Sequence, residues 1–162
     1  MAFSGAALSD DVKPQTTAPK AIESFPQNIV AASPRKITTI NAFAARAQDF
    51  VATYLPDVSN PSLKDFDEAF YRWQKTKDRR YTDQQVIGIL GAYLGNRLVT
   101  DFQMEWVIVT DQYGSDYAVK ARKSKVIAYS FASVSKRVER NQYEFMDGIY
   151  QAVKRLIAKA DS

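Results

Sequence analysis

Between Thr82 and Val99 the chain repeats apolar side chains at intervals of three and four residues: Val86, Ile89, Leu90, Tyr93, Leu94 and Leu98. Thr82 followed by Gln85 has the spacing of a capping box, so the pattern predicts a helix opening at Thr82. Gly88, Gly91 and Gly95 fall within one narrow sector of that helix. A glycine in a helix interior costs roughly 1 kcal/mol relative to alanine. Three of them imply a neighbour that packs closely against the side-chain-free stripe, so this helix must sit against another element and cannot stand at the margin of the fold.

The flanking sequence supplies the neighbours. Organised structure is expected from near Thr38, where Phe43, Ala47, Phe50, Val51 and Tyr54 recur at helical spacing up to Pro56. Asn60-Pro61-Ser62, with Asp65 three residues after Ser62, opens a second helix through about Thr76. Leu63, Phe66, Ala69, Phe70 and Trp73 form its apolar side, with Lys64, Asp67, Glu68 and Arg72 expected mainly outside. After the glycine helix, Met104 to Thr110 and Ser115 to Arg122 read as strands. Asp111-Gln112-Tyr113-Gly114 is the reversal, with Gly114 at positive φ and Asp111 satisfying turn amides. Lys125 to Tyr129 is a third strand, and a final helix runs from about Ser133 or Asn141 to Lys159. Helices followed by strands, without strict alternation, predict an α+β fold with helices packed against one face of a small three-stranded antiparallel sheet.

Residues 1–35 hold four of the six prolines, balance three acids against three bases and sustain no apolar period, so they read as a flexible N-terminal arm. Residues 36–160 are then the single compact domain. Within the arm, Ile22, Phe25, Ile29 and Val30 stand out as a possible anchor onto the domain. No apolar stretch is long enough to span a bilayer, and the start MAFSGAALSDDVK lacks a basic n-region, so the expected location is cytoplasmic, with no membrane partner.

Composition removes whole classes of chemistry. The 162 residues include no cysteine and no histidine, which excludes thiol nucleophiles, histidine bases and Cys/His metal sites. The net charge of +4 supports solubility without implying nucleic-acid binding. GILGAYLG lies inside a helical period and lacks the Gly-Lys-Ser ending of a phosphate loop, so it reads as packing. Trp73 and Trp106 read as core anchors. Ser133-Val134-Ser135-Lys136 matches the S-x-x-K pattern of acyl enzymes, but the companion elements are missing. The carboxylate pairs Asp67 with Glu68, Asp101 with Glu105 and Asp111 with Asp116 carry the weaker alternative of a carboxylate-based hydrolase or magnesium site. No catalytic residue, cofactor or metal is expected.

The middle and C-terminal sequence resembles the bacterial family named domain of unknown function 3806. The resemblance rests on the Trp73 helix, the Gly91-Ala92-Tyr93-Leu94-Gly95 segment with Leu98, Trp106, Asp111 and Gly114 of the hairpin, and Val134-Ser135-Lys136-Arg137. It spans roughly residues 65–157, and Ala128-Tyr129-Ser130 stands where that family commonly has a proline. The resemblance implies a compact bacterial module and no particular chemistry.

Charge is the strongest functional signal. Lys120, Arg122, Lys123, Lys125, Lys136, Arg137 and Arg140 are opposed only by Glu139 between positions 120 and 140, a local sum of +6, with Lys75, Lys77, Arg79 and Arg80 as a supplement. Folded together, these form a basic edge suited to an acidic protein surface or, as the alternative, to nucleic-acid phosphates. The expected function is a non-enzymatic protein-interaction module, in one concrete form an immunity protein that neutralises a cognate bacterial toxin. The sequence leaves the oligomeric state open.

Overall fold

The computed structural model describes residues 27–162. The chain runs β1 (Asn28–Ala31), α1 (Pro34–Ala44), α2 (Ala47–Tyr54), α3 (Leu63–Lys75), α4 (Asp83–Phe102), β2 (Met104–Asp111), β3 (Gly114–Ala121), β4 (Ile127–Ala128), α5 (Ser130–Arg140) and α6 (Met146–Asp161). The helix starts follow local chemistry. Ser33 accepts from the N–H of Lys36 with Pro34 at the first helical position, and Ser62/Asp65 and Thr82/Gln85 form complete capping boxes on α3 and α4.

The sheet corrects the expected three strands to four, in the antiparallel order β1-β2-β3-β4. The added strand is Asn28–Ala31, whose partners are Thr110 to Val107. It lies within the stretch read as an arm, because four residues between prolines carry no strand period of their own and gain a partner only through the tertiary fold. Residues 1–26, the rest of that arm, lie outside the described residues. The hairpin forms as its sequence dictates. Gly114 has φ 131°, and Asp111 accepts the Tyr113 N–H at 2.7 Å.

The first expected helix is divided, and the two starts expected for the last one, Ser133 and Asn141, correspond to two separate helices. The first breaks at Ala45 and Arg46, where the apolar side switches from packing beside the sheet (Ile40) to packing among the helices (Ala47, Phe50, Val51). The C-terminal stretch forms α5, which Asn141 closes in the left-handed conformation at φ 52°, and then α6 from Met146.

α4 is the central element. One side joins Phe50, Phe66, Phe70 and Trp73 in the interhelical core, and the other meets Met104, Trp106 and Val119 on the sheet through Leu98 and Ala92. Each large apolar side chain so buried contributes about 1.5–3 kcal/mol. Its glycine stripe is occupied as the pattern requires. Phe131 of α5 covers Gly91, the Trp106 ring covers Gly95, and Phe43 covers Gly88. Both tryptophans are core: the Trp73 indole donates to Tyr81 O at 3.0 Å and the Trp106 indole to Asn96 Oδ1 at 2.9 Å. Among the described residues no helix is long and apolar enough to cross a membrane.

Candidate functional site

The seven cations singled out in the sequence are divided between two places. Arg122, Lys123 and Lys125 lie in the β3–β4 turn and Lys120 at the end of β3, beside the C-terminal end of α4. Lys120 is half-buried and its Nζ donates to Ala121 O at 3.1 Å and Ser124 O at 3.3 Å, so its charge closes the turn. Arg122 faces Glu105 at 3.9 Å, an exposed and distant pair of little energetic weight. Lys123 and Lys125 are exposed. With Asp101, Phe102, Ile157 and Asp161 the turn borders a shallow cleft of about 320 Å³.

Lys136, Arg137 and Arg140 lie on α5. That helix runs antiparallel to α4, since Ser130 adjoins Gly95 and Phe131 adjoins Gly91. From that crossing the turn lies toward the end of α4 and Arg137 toward its beginning. At the helical rise per residue the two groups are on the order of 20 Å apart. Arg137 stands 5.7 Å over the Phe145 ring. Lys75 stands 5.6 and 5.7 Å over Tyr71 and Tyr143. Phe145 and Tyr143 both meet Phe70 edge-on, so the α5 group adjoins Lys75. Arg79 stacks over Trp73 at 4.7 Å and pairs with Asp83.

The structure brings together a set that the sequence did not. A cleft of about 830 Å³ between α3 and the start of α6 is lined by Lys64, Asp67, Glu68, Tyr71, Tyr143, Glu144, Asp147 and Gly148. Asp67, expected outside, is only 6% exposed. Its Oδ1 accepts the N–H groups of Phe145 at 2.9 Å and Met146 at 2.8 Å, and its Oδ2 that of Asp147 at 3.3 Å. Burial pushes its carboxyl above the ordinary range and the charge of Asp147 adds to this, while the three N–H groups pull against it. The one local signal was negative: Phe145, at the cap position of α6, has no side chain able to cap it.

The remaining sequence candidates have structural employment. Glu68 pairs with Arg72 at 2.9 Å. Asp101 accepts from Tyr150 at 2.7 Å and from Arg97 at 3.3 Å, holding α4 to α6. Asp111 and Asp116 share one face of the sheet and, after burial, raise the Tyr129 phenol above its ordinary range. Ser133 lies in the first turn of α5, and Lys136 is exposed. Among the described residues no group of three or more carboxylates is placed to hold a metal ion.

Fold and site together define a small α+β domain whose central helix carries a glycine stripe and whose surface presents two separate basic groups and one acidic cleft. The chain belongs to the bacterial family described as a domain of unknown function (DUF3806), whose model matches residues 69–150. The match takes in the second half of the Trp73 helix, α4, the hairpin, α5 and the first turn of α6. No curated protein matches the chain. Among solved structures it is similar to a Bacteroides thetaiotaomicron VPI-5482 protein crystallised at 1.50 Å resolution, with TM-score 0.59 and 16% identity. The similarity covers 83% of this chain and 50% of that one, so the chain spans half the length of that structure and shares its fold.

Proposed function

We propose that this domain is a non-catalytic protein-interaction module that recognises an acidic protein surface through the β3–β4 turn, with the cations of α5 as a second contact. The observation that supports this reading most is the turn itself. Arg122, Lys123 and Lys125 stand exposed within four positions, held by the bonds of Lys120 and tied to the rest of the protein by one ion pair of 3.9 Å. Cations on a fixed turn steer an oppositely charged partner without having to break internal pairs first. The buried carboxylate Asp67 supports the same reading, because its lone pairs already serve backbone N–H groups of α6. In its most concrete form the module is an immunity protein or antitoxin, and the acidic surface is that of a cognate toxin.

The test is a charge reversal. Arg122, Lys123 and Lys125 are changed together to glutamate, and Lys136, Arg137 and Arg140 in a second protein, with retention of fold checked by the fluorescence of the two buried tryptophans. Partner protein recovered from bacterial extract, the product of a neighbouring toxin gene first among the candidates, is titrated calorimetrically against each. The turn reversal is expected to weaken binding several-fold or more, and association with the original chain is expected to slow as salt rises. Unchanged affinity in both reversals rejects the reading. Tight, sequence-independent binding to DNA or RNA near physiological salt, weakened by the same reversals, would replace it with a nucleic-acid accessory role.

A further inference from the structure

The helices all lie on one side of the sheet, against Met104, Trp106, Val119, Ala121 and Ala128. On the opposite side, Val107, Val109 and Ala118 form a separate apolar cluster. These three are at most 3% exposed, and the partly buried apolar side chains packed against them are Ile127 and Tyr129. Ile29 of β1, opposite Val109 and therefore on this same outer face, is 39% exposed. The first described residue is placed over this face as well. Gln27 precedes Asn28, the partner of Thr110, and its side chain lies near enough to the Tyr129 hydroxyl, just after the end of β4, to act on that phenol. The approach brings the chain just before one edge strand toward the residue that follows the other, on the far side of β2 and β3.

We propose that the outer face of the sheet is the docking site of the chain's own upstream segment, residues 21–26, with Ile22 and Phe25 supplying the apolar contacts. Pro26 has no N–H with which to extend the β1 ladder. Four strands are about 14 Å across, and six extended residues reach about 20 Å, so the segment is long enough to cross the face. Direct tethering to β1 gives it an effective concentration that a separate molecule has to exceed. The IESFPQNIV stretch thereby acts as one unit: its second half pairs at the sheet's edge and its first half covers the sheet's outer side.

The test uses the full chain with labelled methyl groups and a labelled phenylalanine ring. Nuclear Overhauser contacts from Phe25 and Ile22 to the methyls of Val107 and Val109 are expected. In the variant carrying Ile22→Asp and Phe25→Asp those contacts should vanish while the Trp73 and Trp106 indole signals keep their positions. Relaxation of the Ile29 and Val109 methyls by a soluble paramagnetic chelate should then rise several-fold. If the variant loses its indole signals, the contacts in the original chain decide alone. Absence of those contacts in the original chain overturns the proposal, as does equal relaxation in the two folded proteins. Contacts that appear only between differently labelled molecules also overturn it, because they make a second copy the occupant.

Discussion

Asp67 caps the helix that begins at Met146, 79 positions further along the chain. The N–H groups at that end have no side chain of their own neighbourhood to receive them, and a carboxylate from α3 supplies what a local serine or aspartate supplies elsewhere. One residue therefore fixes both where α6 starts and how it lies against α3.

Replacing Asp67 by alanine leaves two buried N–H groups without acceptors and is expected to destabilise the domain by about 2–3 kcal/mol. Asp67→Asn keeps one acceptor oxygen and should cost less. Because the folded carboxyl titrates above its unfolded value of 3.8, the folded state binds more protons between the two values. The contribution of Asp67 to stability is therefore most favourable below the unfolded value and falls as pH rises through the folded one. Urea titrations across a pH series should show the original chain gaining on Asp67→Asn as the solution is acidified; a pH-independent difference contradicts the assignment.

The glycines are expected to rank by what a methyl group would meet. At Gly95 it would enter the Trp106 ring, and at Gly91 it would stand 2.9 Å from the Phe131 Cα, which cannot swing aside. Alanine at either position should cost about 1–3 kcal/mol by overpacking. Gly148, exposed in the first turn of α6, has nothing within 4 Å, and Gly148→Ala should stabilise by about 0.5–1 kcal/mol. Chemical denaturation of the three single variants checks both signs.

Gln103 closes α4 at φ 54°, a conformation that glycine adopts without strain. Gln103→Gly should therefore raise stability by about 0.5–1 kcal/mol. Asn141, at φ 52° after α5, is a residue type already suited to the position. Melting temperatures of the two glycine variants should differ accordingly, with the larger gain at Gln103.

The Tyr150 hydroxyl donates to Asp101, and this bond raises its phenol above the ordinary range. A group raised on folding contributes stability below its unfolded value that is lost as pH rises through the folded one. The original chain should lose its advantage over Tyr150→Phe in alkaline solution, read by denaturant titration on either side of pH 10.

What could be read in the sequence is what short stretches decide alone. The capping boxes of α3 and α4, the glycine stripe and the Asp111–Gly114 reversal each rest on residues a few positions apart, and each has its counterpart in the structure. β1 could not be read that way, because Asn28–Ala31 become a strand only when Thr110 to Val107 are beside them. The acidic cleft was hidden for the same reason: Asp67 and Asp147 are 80 positions apart, and nothing near either one announces the other. The cations at 120–140 were visible as a run, but the length of α5 and its direction across α4 put them at different ends of the molecule.

The pairing of Ile29 with Val109 closes a loop that contains α1 to α4, more than half of the described chain, for the sake of a strand four residues long. Closing so long a loop costs entropy, and the ladder that repays it is short. The β2–β3 hairpin and the packing of α4 against α5 rely on nearer contacts and can assemble before it. β1 is therefore expected to seat after the hairpin it joins, and the edge of β2 it covers is the seam along which local opening is expected to expose the sheet.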